Sequence, residues 1–513
     1  MENHAFEPLE ERTFQYQESL PPLPVPSLEE SLSKYCEAVK PFLNRKEFER
    51  TSKIVKSFEN GVGKELHRKL LERARERKNW LEEWWLNAAY LEVRTPSQLN
   101  VNFGGPGSYL EHYWPPKSGT QLERGSISIW YTFLYWDLIR KEKLSVQKAR
   151  NIPLDMQQMR NLFNTCKIPG VTKDSIVNYF KTESEGTSPS HLVVMSRGRI
   201  FTFDAVHKGQ ILTPPEIQRQ LSYIQNICLT EPNGIGLGSL TTEERTRWAL
   251  AREHLVSLDP KNLSNLETIQ SSLFVVSLDD ASPVGTAEDY TQISKLVLTG
   301  DPTIRWGDKS YNCLIFQNGV HGSNCDHAPS DAMVLVSMCD YIDRNVVACE
   351  GCWKGSTAVR DLPHPEEVVF TVDDKVLHDI ALAKAQYQEQ CSDLQLVNYA
   401  FTSFGKALTK KRRLHPDTFI QLAVQLAFYK LYGRGGGGNF VLSTSCLGYT
   451  NVHGAVVPMT RDGYGFFYRI RDDRFVVSCS SWKSCPETDA EKFCRTVFLI
   501  FQEMIQLTAN AQL

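Results

Sequence analysis

His327 stands in a local sequence that suits acid–base chemistry. It directly follows Asp326, and Pro329 and Asp331 come two and four positions later. We expect His327 on a loop and both later residues in the first turn of the next helix. A carboxylate there can hydrogen-bond one ring nitrogen, fix the tautomer and make the other nitrogen a better base. The pattern predicts a base with its orienting group; a structural histidine that caps the helix is the alternative.

Three hydroxyl-bearing residues, Ser443 to Ser445, form a second candidate site. They lie at a predicted strand end, where hydroxyl donors can hold a developing oxyanion. A strand that happens to be rich in β-compatible hydroxyl residues explains the same pattern.

A basic turn is the third candidate site. It contains Lys406, Lys410, Lys411, Arg412 and Arg413. Such a cluster suits phosphate groups. A solvated turn or a nuclear-import patch is the alternative.

Other catalytic and metal-binding motifs are missing from the sequence. No G-x-S-x-G nucleophile or H-E-x-x-H metal site accompanies His327, which leaves direct deprotonation of a substrate. Cys349 and Cys352 form a C-x-x-C pair, but no second pair follows at zinc spacing. The glycines at 435–438 lack the lysine and hydroxyl residue of a P-loop. We therefore predict no metal site.

Composition describes a water-soluble globular chain. Its 513 residues are 41% hydrophobic and 23% charged, with a net charge of −3, so no electrostatic field favours nucleic acid. Apolar stretches are too short for a membrane span. The thirteen cysteines follow no regular framework and no secretory signal opens the sequence, so we expect free thiols in a reducing compartment.

Local patterns predict the elements that must position these groups. Ser27 caps a first helix, and a charged helix covers roughly 46–88, whose acids argue against nucleic-acid binding. A hairpin turns at Arg197-Gly198, and a buried strand ends in the Asn318-Gly319 turn. Alternating strands and helices indicate an α/β fold with helices covering sheets.

Helical patterns continue on both sides of the basic turn. An amphipathic helix follows a cap at Thr241 or Thr242, and further helices begin near 373 and 417. The last of these runs directly into the glycines at 435–438 and then into the strand that holds Ser443. This joint is abrupt, because no connecting structure separates the helix from the strand.

Several segments together resemble the choline/carnitine acyltransferases. They are LPPLPVPSLEESLSKY, RWGDKSYNCLIFQNGVHGSNCDHAPSDA (with Cys313 where an aliphatic residue is usual), FGKALTK, FVLSTS and VVPMTRDGYGFFY, in family order and almost from end to end. The resemblance implies an α/β fold of two chloramphenicol-acetyltransferase-like domains with mixed sheets and flanking helices. It implies domains at 91–372, with His327, and 373–513, after a proline-rich arm and helices at 1–90.

The same resemblance implies a reversible transfer of a medium-chain acyl group between coenzyme A and carnitine. His327 matches the general base and Asp331 the acid that supports it, in a tunnel that the two substrates enter from opposite faces. Ser445 matches the oxyanion donor and Ser443 a carnitine contact. Lys406 and Lys410 match coenzyme A contacts. Coenzyme A thioester is a substrate here, so no cofactor is implied.

Two further features bear on substrate and location. Gly454 stands where a short-chain member of the family carries a bulky side chain, which implies room for a longer acyl chain. The terminal Ala511-Gln512-Leu513 has the shape of a peroxisomal address read by an import receptor. We expect a peroxisomal enzyme of fatty acid metabolism.

The joint is where the sequence departs from the family. Members of the family carry a long segment there, with a tyrosine, a threonine and an arginine that hold carnitine. That segment is missing, so we interpret the chain as an internally deleted form with a shortened second domain and impaired activity. A non-catalytic chain that acts only by binding is one alternative. A choline acetyltransferase-like enzyme, disfavoured by Gly454 and the terminal tripeptide, is the other.

Overall fold

The computed structural model describes residues 11–107, 120–436, 440–448 and 450–510. Its α-helices are α1 (Leu28–Val39), α2 (Arg45–Asn60), α3 (Val62–Glu76), α4 (Glu82–Leu86), α5 (Ser97–Asn100), α6 (Gln121–Arg140), α7 (Pro214–Thr230), α8 (Arg245–Leu258), α9 (Pro260–Ser271), α10 (Thr291–Thr299), α11 (Ala332–Ala348), α12 (Asp374–Asp393), α13 (Lys406–Lys411), α14 (Pro416–Tyr432) and α15 (Ala490–Asn510). Ala511-Gln512-Leu513 lies outside the described residues. None of the helices in these ranges is long and apolar enough to cross a bilayer.

The strands form two large sheets and three short ribbons. They are β1 (Phe103–Pro106), β2 (Lys148–Ala149), β3 (Ile152–Pro153), β4 (Thr165–Ile168), β5 (Ser175–Asn178), β6 (His191–Ser196), β7 (Arg199–Asp204), β8 (Val206–His207), β9 (Gln210–Ile211), β10 (Val275–Asp279), β11 (Asn312–Phe316), β12 (His321–Cys325), β13 (Glu366–Glu367), β14 (Leu394–Phe401), β15 (Leu442–Cys446), β16 (Tyr464–Ile470) and β17 (Phe475–Trp482). The large sheets are β1-β12-β11-β10-β6-β7-β13 and β14-β17-β16-β15.

The first sheet is buried on both faces. Strand β10 runs parallel to β6 and β11, whereas the outer pairs are antiparallel. Alternate residues of β10 belong to different cores: Val275 packs in a cluster with Trp248, and Val276 in one with Phe133. A different core covers each face of this strand, which accounts for the burial of all five of its residues.

The second sheet separates two cores. Phe466 of β16 packs in the cluster beneath α14 and α15, whereas its neighbour Phe467 joins the core of the first sheet. Strands β15 and β16 are parallel and the remaining pairs antiparallel.

Backbone hydrogen bonds join the two sheet systems at two places. Gly104 of β1 exchanges hydrogen bonds with Ala455 over 3.3 and 2.6 Å. At the second place, Ala400 of β14 donates to the carbonyl of Glu288 over 2.9 Å. The two halves are therefore connected through main chain as well as through side-chain packing.

The predicted α/β class, with mixed sheets and flanking helices, is confirmed. So are the hairpin at Arg197-Gly198, the turn at Asn318-Gly319 and the Ser27 cap, whose hydroxyl accepts from the amide of Glu30. All strands of the first sheet lie before residue 373 and all strands of the second lie after it. The domain limits themselves stay a prediction.

Two helix predictions were wrong. The helix expected over 46–88 is divided into α2, α3 and α4, because the chain turns at Gly61 and Gly63 packs directly on Phe58. The helix expected to start from Thr241 or Thr242 starts later and is capped by Glu244. Both threonine hydroxyls donate to carbonyls within the preceding turn.

Candidate active site

His327 lies on the loop between β12 and α11, as its sequence predicted. Its ring is half-buried between two aromatic side chains. Tyr90 stacks on it with ring centroids 5.2 Å apart, and Phe103 of β1 meets it edge-on at 4.9 Å. The Tyr90 hydroxyl lies 3.2 Å from Nδ1, within hydrogen-bonding distance. Tyr90 therefore both orients the ring and covers one of its faces.

The loop that carries His327 is held by three polar contacts. Lys167 Nζ lies 3.1 Å from both carboxylate oxygens of Asp326, and both side chains are fully buried. Further along the loop, Asn161 donates to the carbonyl of Pro329 over 2.8 Å. Gln158 accepts from the amide of Asp331. These contacts keep 326–330 out of the helix, so the expectation that Pro329 begins its first turn was wrong.

Asp331 occupies the N-cap position of α11 and is exposed. Its carboxylate accepts a hydrogen bond from Gln158 over 3.3 Å. Among the hydrogen bonds of the described residues, none joins Asp331 to the His327 ring. The direct polar contact on the imidazole is made by Tyr90, whereas Asp331 pairs with Gln158, and the supporting role of Asp331 stays a prediction.

Tyr90 is still linked electrostatically to Asp331. Burial of the phenol, followed by the negative charges of Asp331 and Asp326, raises the pKa of Tyr90 to about 12. The hydroxyl therefore keeps its proton throughout the neutral range. If Nδ1–H donates to the Tyr90 oxygen, Nε2 is left with the lone pair that a general base needs.

The hydroxyls of Ser443 and Ser445 share one face of β15. They register with Gly465 and Phe467 of β16, whereas Thr444 points the other way and accepts from Gln421 of α14. Both serines are half-buried, and no hydrogen bond between described residues occupies either hydroxyl. They are available as donors on the side of the second sheet that faces the first core.

The space expected beside Gly454 is filled in this structure. A Cβ atom at this position would lie 2.7 Å from Cδ2 of Phe467 and 2.8 Å from Cδ1 of Leu447. The remaining cavity is about 10 Å³, the size of one water position. An acyl chain could enter here only if Phe467 and Leu447 moved.

Strand β1 brings Gly454 towards the histidine. A Cβ atom at Gly105 would lie 2.2 Å from the carbonyl oxygen of His453, so only glycine permits this approach. Two residues earlier on the same strand, Phe103 touches the His327 ring. The structure thus connects His327, β1 and Gly454 through direct contacts.

Lys406 and Lys410 belong to α13, a short helix within the predicted basic turn. Lys406 Nζ lies 3.1 Å from a carboxylate oxygen of Asp472, and Lys410 is exposed. The cluster keeps a positive surface, because Lys411, Arg412 and Arg413 are exposed as well.

Metal ligation finds no support in the described ranges. No group of three or more histidine, cysteine, aspartate or glutamate side chains is arranged to hold an ion there. Cys349 and Cys352 are free thiols.

Sequence reasoning missed Tyr90, Phe103 and the pair formed by Lys167 and Asp326. Tyr90 is 237 positions from His327, and Lys167 is 159 positions from Asp326. Local spacing cannot bring such residues together. The only available signal was Asp326, which directly precedes His327. A carboxylate that becomes buried needs a cation as its partner, and this requirement points to a residue such as Lys167.

The chain is similar to known proteins along most of its length. The sequence model of a family described as choline/carnitine O-acyltransferase matches residues 23–437 and 435–498. The peroxisomal carnitine O-octanoyltransferase of Bos taurus is 57% identical over 606 positions, with 99% of each chain covered. The human protein of that name is 53% identical over 612 positions, with 100% of each chain covered. Rat carnitine O-acetyltransferase is 32% identical over 432 positions, covering 82% of this chain and 67% of the relative.

The same similarities locate the internal gap. The alignment with the bovine protein has 606 positions and this chain has 513 residues, so at least 93 positions of the relative have no counterpart here. The two family matches meet at 435–437, directly after α14. The missing segment therefore belongs at the glycine joint. With both matches together spanning most of its length, the chain belongs to the choline/carnitine O-acyltransferase family.

Proposed function

We propose that this chain is a carnitine O-octanoyltransferase, which transfers medium-chain acyl groups reversibly between coenzyme A and carnitine. The observation that carries the proposal is end-to-end similarity to proteins named for that activity, at 57% and 53% identity. The half-buried His327, with a hydroxyl on Nδ1, supports it because the ring can present Nε2 as a base.

The reaction follows from this arrangement. His327 takes the proton of the carnitine hydroxyl while its oxygen attacks the thioester carbonyl. The tetrahedral intermediate places negative charge on the former carbonyl oxygen, and the Ser445 hydroxyl donates to it. When the carbon–sulfur bond breaks, the proton on His327 passes to the departing thiolate. The reverse reaction uses the same base on the coenzyme A thiol.

Substitution of His327 tests the mechanism. We expect His327→Ala to abolish thiol release from octanoyl-CoA with carnitine and to leave the circular dichroism spectrum unchanged. His364→Ala, which removes a histidine of the first domain, is the matched control. Turnover of His327→Ala near the parental rate would remove His327 from the mechanism. The same assay with acetyl-CoA and choline tests the choline acetyltransferase alternative.

The gap at the joint supports a second candidate, a chain that binds coenzyme A without efficient catalysis. At least 93 positions of the bovine relative are missing, and family resemblance assigns the main carnitine contacts to that segment. Misplaced substrate can lower the rate about a hundredfold. We therefore expect kcat/KM for carnitine at least about a hundredfold below that of the bovine relative. Equal efficiency in the two purified proteins would show that another part of this chain holds carnitine.

Coenzyme A binding is expected to depend on Lys406 and Lys410, because α13 keeps its positive surface. Charge reversal at Lys410 should weaken coenzyme A binding in isothermal titration. Charge reversal at Lys173, an exposed lysine of the first domain, should not. Equal loss in both variants would indicate an effect of net charge only.

Gly454 is proposed as the acyl-chain determinant, with Phe467 and Leu447 moving to admit the chain. Replacement of the residue equivalent to Gly454 by methionine in the bovine relative should shift preference from octanoyl towards acetyl groups. An unchanged chain-length profile would place the determinant elsewhere.

The proposed location is the peroxisome, through binding of Ala511-Gln512-Leu513 to an import receptor. The relatives at 57% and 53% identity are named as peroxisomal enzymes. A fluorescent protein carrying the last residues should enter peroxisomes, and deletion of Leu513 should leave it in the cytosol. Diffuse fluorescence from the intact tail would contradict this targeting role.

A further inference from the structure

The outer face of α14 carries a stripe of exposed apolar side chains. Its inner face packs in the second core, through Phe419, Ala423 and Phe428 among others. On the opposite side, Leu422, Leu426 and Tyr429 are 56%, 37% and 57% exposed. Their spacing of four and three residues aligns them along one stripe of the helix. An aligned apolar stripe on a surface helix marks a contact with another element.

A second exposed aromatic side chain, which belongs to the segment after α1, lies beside the residues that follow α14. Phe42, just after α1, is 59% exposed. A Cβ atom at Gly435 would lie 3.2 Å from its Cε1, so Phe42 sits beside the glycine joint. No side chain of α1 or α2 is buried, which leaves this helical region short of packing partners among the described residues. We call Phe42, Leu422, Leu426 and Tyr429 the joint surface.

The relatives indicate what would cover the joint surface. At least 93 positions of the bovine protein have no counterpart here, and the two family matches meet at 435–437. Helix α14 ends at Tyr432, only three residues before that point. A segment that enters or leaves at the joint therefore starts and finishes next to the exposed stripe.

We propose that the joint surface is a docking site for the polypeptide segment that the relatives carry between α14 and β15. The occupant is apolar along one face, to match Leu422, Leu426 and Tyr429. When the segment is supplied as a separate polypeptide, the chain binds it, because α14 and β15, the elements on either side of the joint, are both folded here. The inference concerns packing alone and does not rest on the proposed catalytic function.

Hydroxyl-radical footprinting of the full chain tests the proposal. The added ligand is the bovine segment fused to a soluble carrier protein, and the carrier alone is the control ligand. We expect oxidation of Leu422, Leu426 and Tyr429 to fall at least about tenfold when the segment is bound, and binding to be measurable by titration calorimetry. Leu229 of α7, which is 58% exposed and lies in the first domain, should be oxidised at an unchanged rate.

Charged substitutions provide the matched variants. Leu422→Glu/Leu426→Glu should weaken binding at least about tenfold, because carboxylates would be buried in an apolar contact. Leu229→Glu should bind like the parental chain. The milder Leu422→Ala/Tyr429→Ala variant serves if the double glutamate variant does not fold.

A second arrangement removes the need for the segment to fold alone. The bovine segment is inserted at Gly436 of this chain, and oxidation of the same three residues is measured. Protection in either arrangement supports the docking site. Unchanged oxidation in both arrangements would overturn the docking site. If the three residues become protected as the protein concentration rises without any segment present, the surface binds a second copy of the chain, and this too would overturn the proposal.

Discussion

At the scale of single residues, the contact between Tyr90 and His327 orients the candidate base. The stacked ring fixes the orientation of the imidazole, and the hydroxyl lies 3.2 Å from Nδ1. Since burial and nearby carboxylates raise the pKa of Tyr90 to about 12, the phenol does not ionise at neutral pH. Tyr90 therefore acts as a positioning group, which holds the imidazole of His327 through its contact with Nδ1.

Tyr90→Phe should keep the stacking and lose the polar contact. One such hydrogen bond is worth about 0.5–1.5 kcal/mol, so its loss should lower kcat by about two- to tenfold. A kcat equal to that of the parental chain would contradict the positioning role. Tyr35→Phe, on the exposed surface of α1, is the control.

Gly454 makes a different residue-scale prediction. Because a Cβ atom would meet Phe467 and Leu447 within 2.8 Å, Gly454→Ala should lower the free energy of unfolding by about 1–3 kcal/mol. Urea denaturation measures the change. Phe467→Leu in the same chain should recover part of the loss, and full stability of Gly454→Ala alone would show that this region repacks freely.

At the scale of elements, the loop between β12 and α11 depends on a buried ion pair. Asp326 and Lys167 are both fully buried, and Lys167 also donates to Ser97 over 2.8 Å. Removing one partner of such a pair leaves an uncompensated charge. The position of His327 therefore depends on an element that forms no part of the reaction.

Asp326→Asn should lower the free energy of unfolding by about 3–5 kcal/mol. Urea unfolding followed by circular dichroism gives the value, and Lys167→Met added to it should restore part of the stability. The surface pair of exposed Lys375 and half-buried Asp379 on α12 is the control, since breaking it should cost less than about 1 kcal/mol. Equal losses at both sites would mean that burial does not determine the cost.

Elements whose signals are local were predictable from the sequence. The hairpin at Arg197-Gly198 has a turn pair between alternating strands, and the Ser27 cap needs only its own helix. His327 was correctly placed on its loop for the same reason. Its partner Tyr90 could not be predicted, because that contact depends on how the helical turn Asn87–Leu91 packs on the loop after β12. The packing of Phe467 and Leu447 against Gly454 was equally unpredictable, because it brings together side chains from β16 and from the residue after β15.

At the scale of the whole molecule, buried neutral histidines make stability depend on pH. Burial lowers the pKa of His321 to about 4 and holds the pKa of His453 well below its usual value. Burial also lowers the pKa of His191. In the unfolded chain these rings titrate near 6.5, so at lower pH the unfolded state binds more protons.

We therefore expect stability to be complete above about pH 6.5 and to fall between about pH 6.5 and 4. The urea midpoint measured at half-unit intervals checks this. His321→Asn should show a shallower fall than the parental chain, because one proton fewer is taken up on unfolding. His67→Asn, on the surface helix α3, should leave the slope unchanged. A midpoint that stays constant over this window would contradict the assignment.

The two main-chain connections between the sheets also govern how the protein melts. Gly104 exchanges hydrogen bonds with Ala455, and Ala400 donates to Glu288, so neither half can open without breaking backbone bonds to the other. Heat should therefore melt both halves together, as one endotherm whose calorimetric and van't Hoff enthalpies agree. Gly105→Val, which would force β1 away from the carbonyl of His453, should split that endotherm into two. A single undivided peak in this variant would show that side-chain packing alone couples the halves.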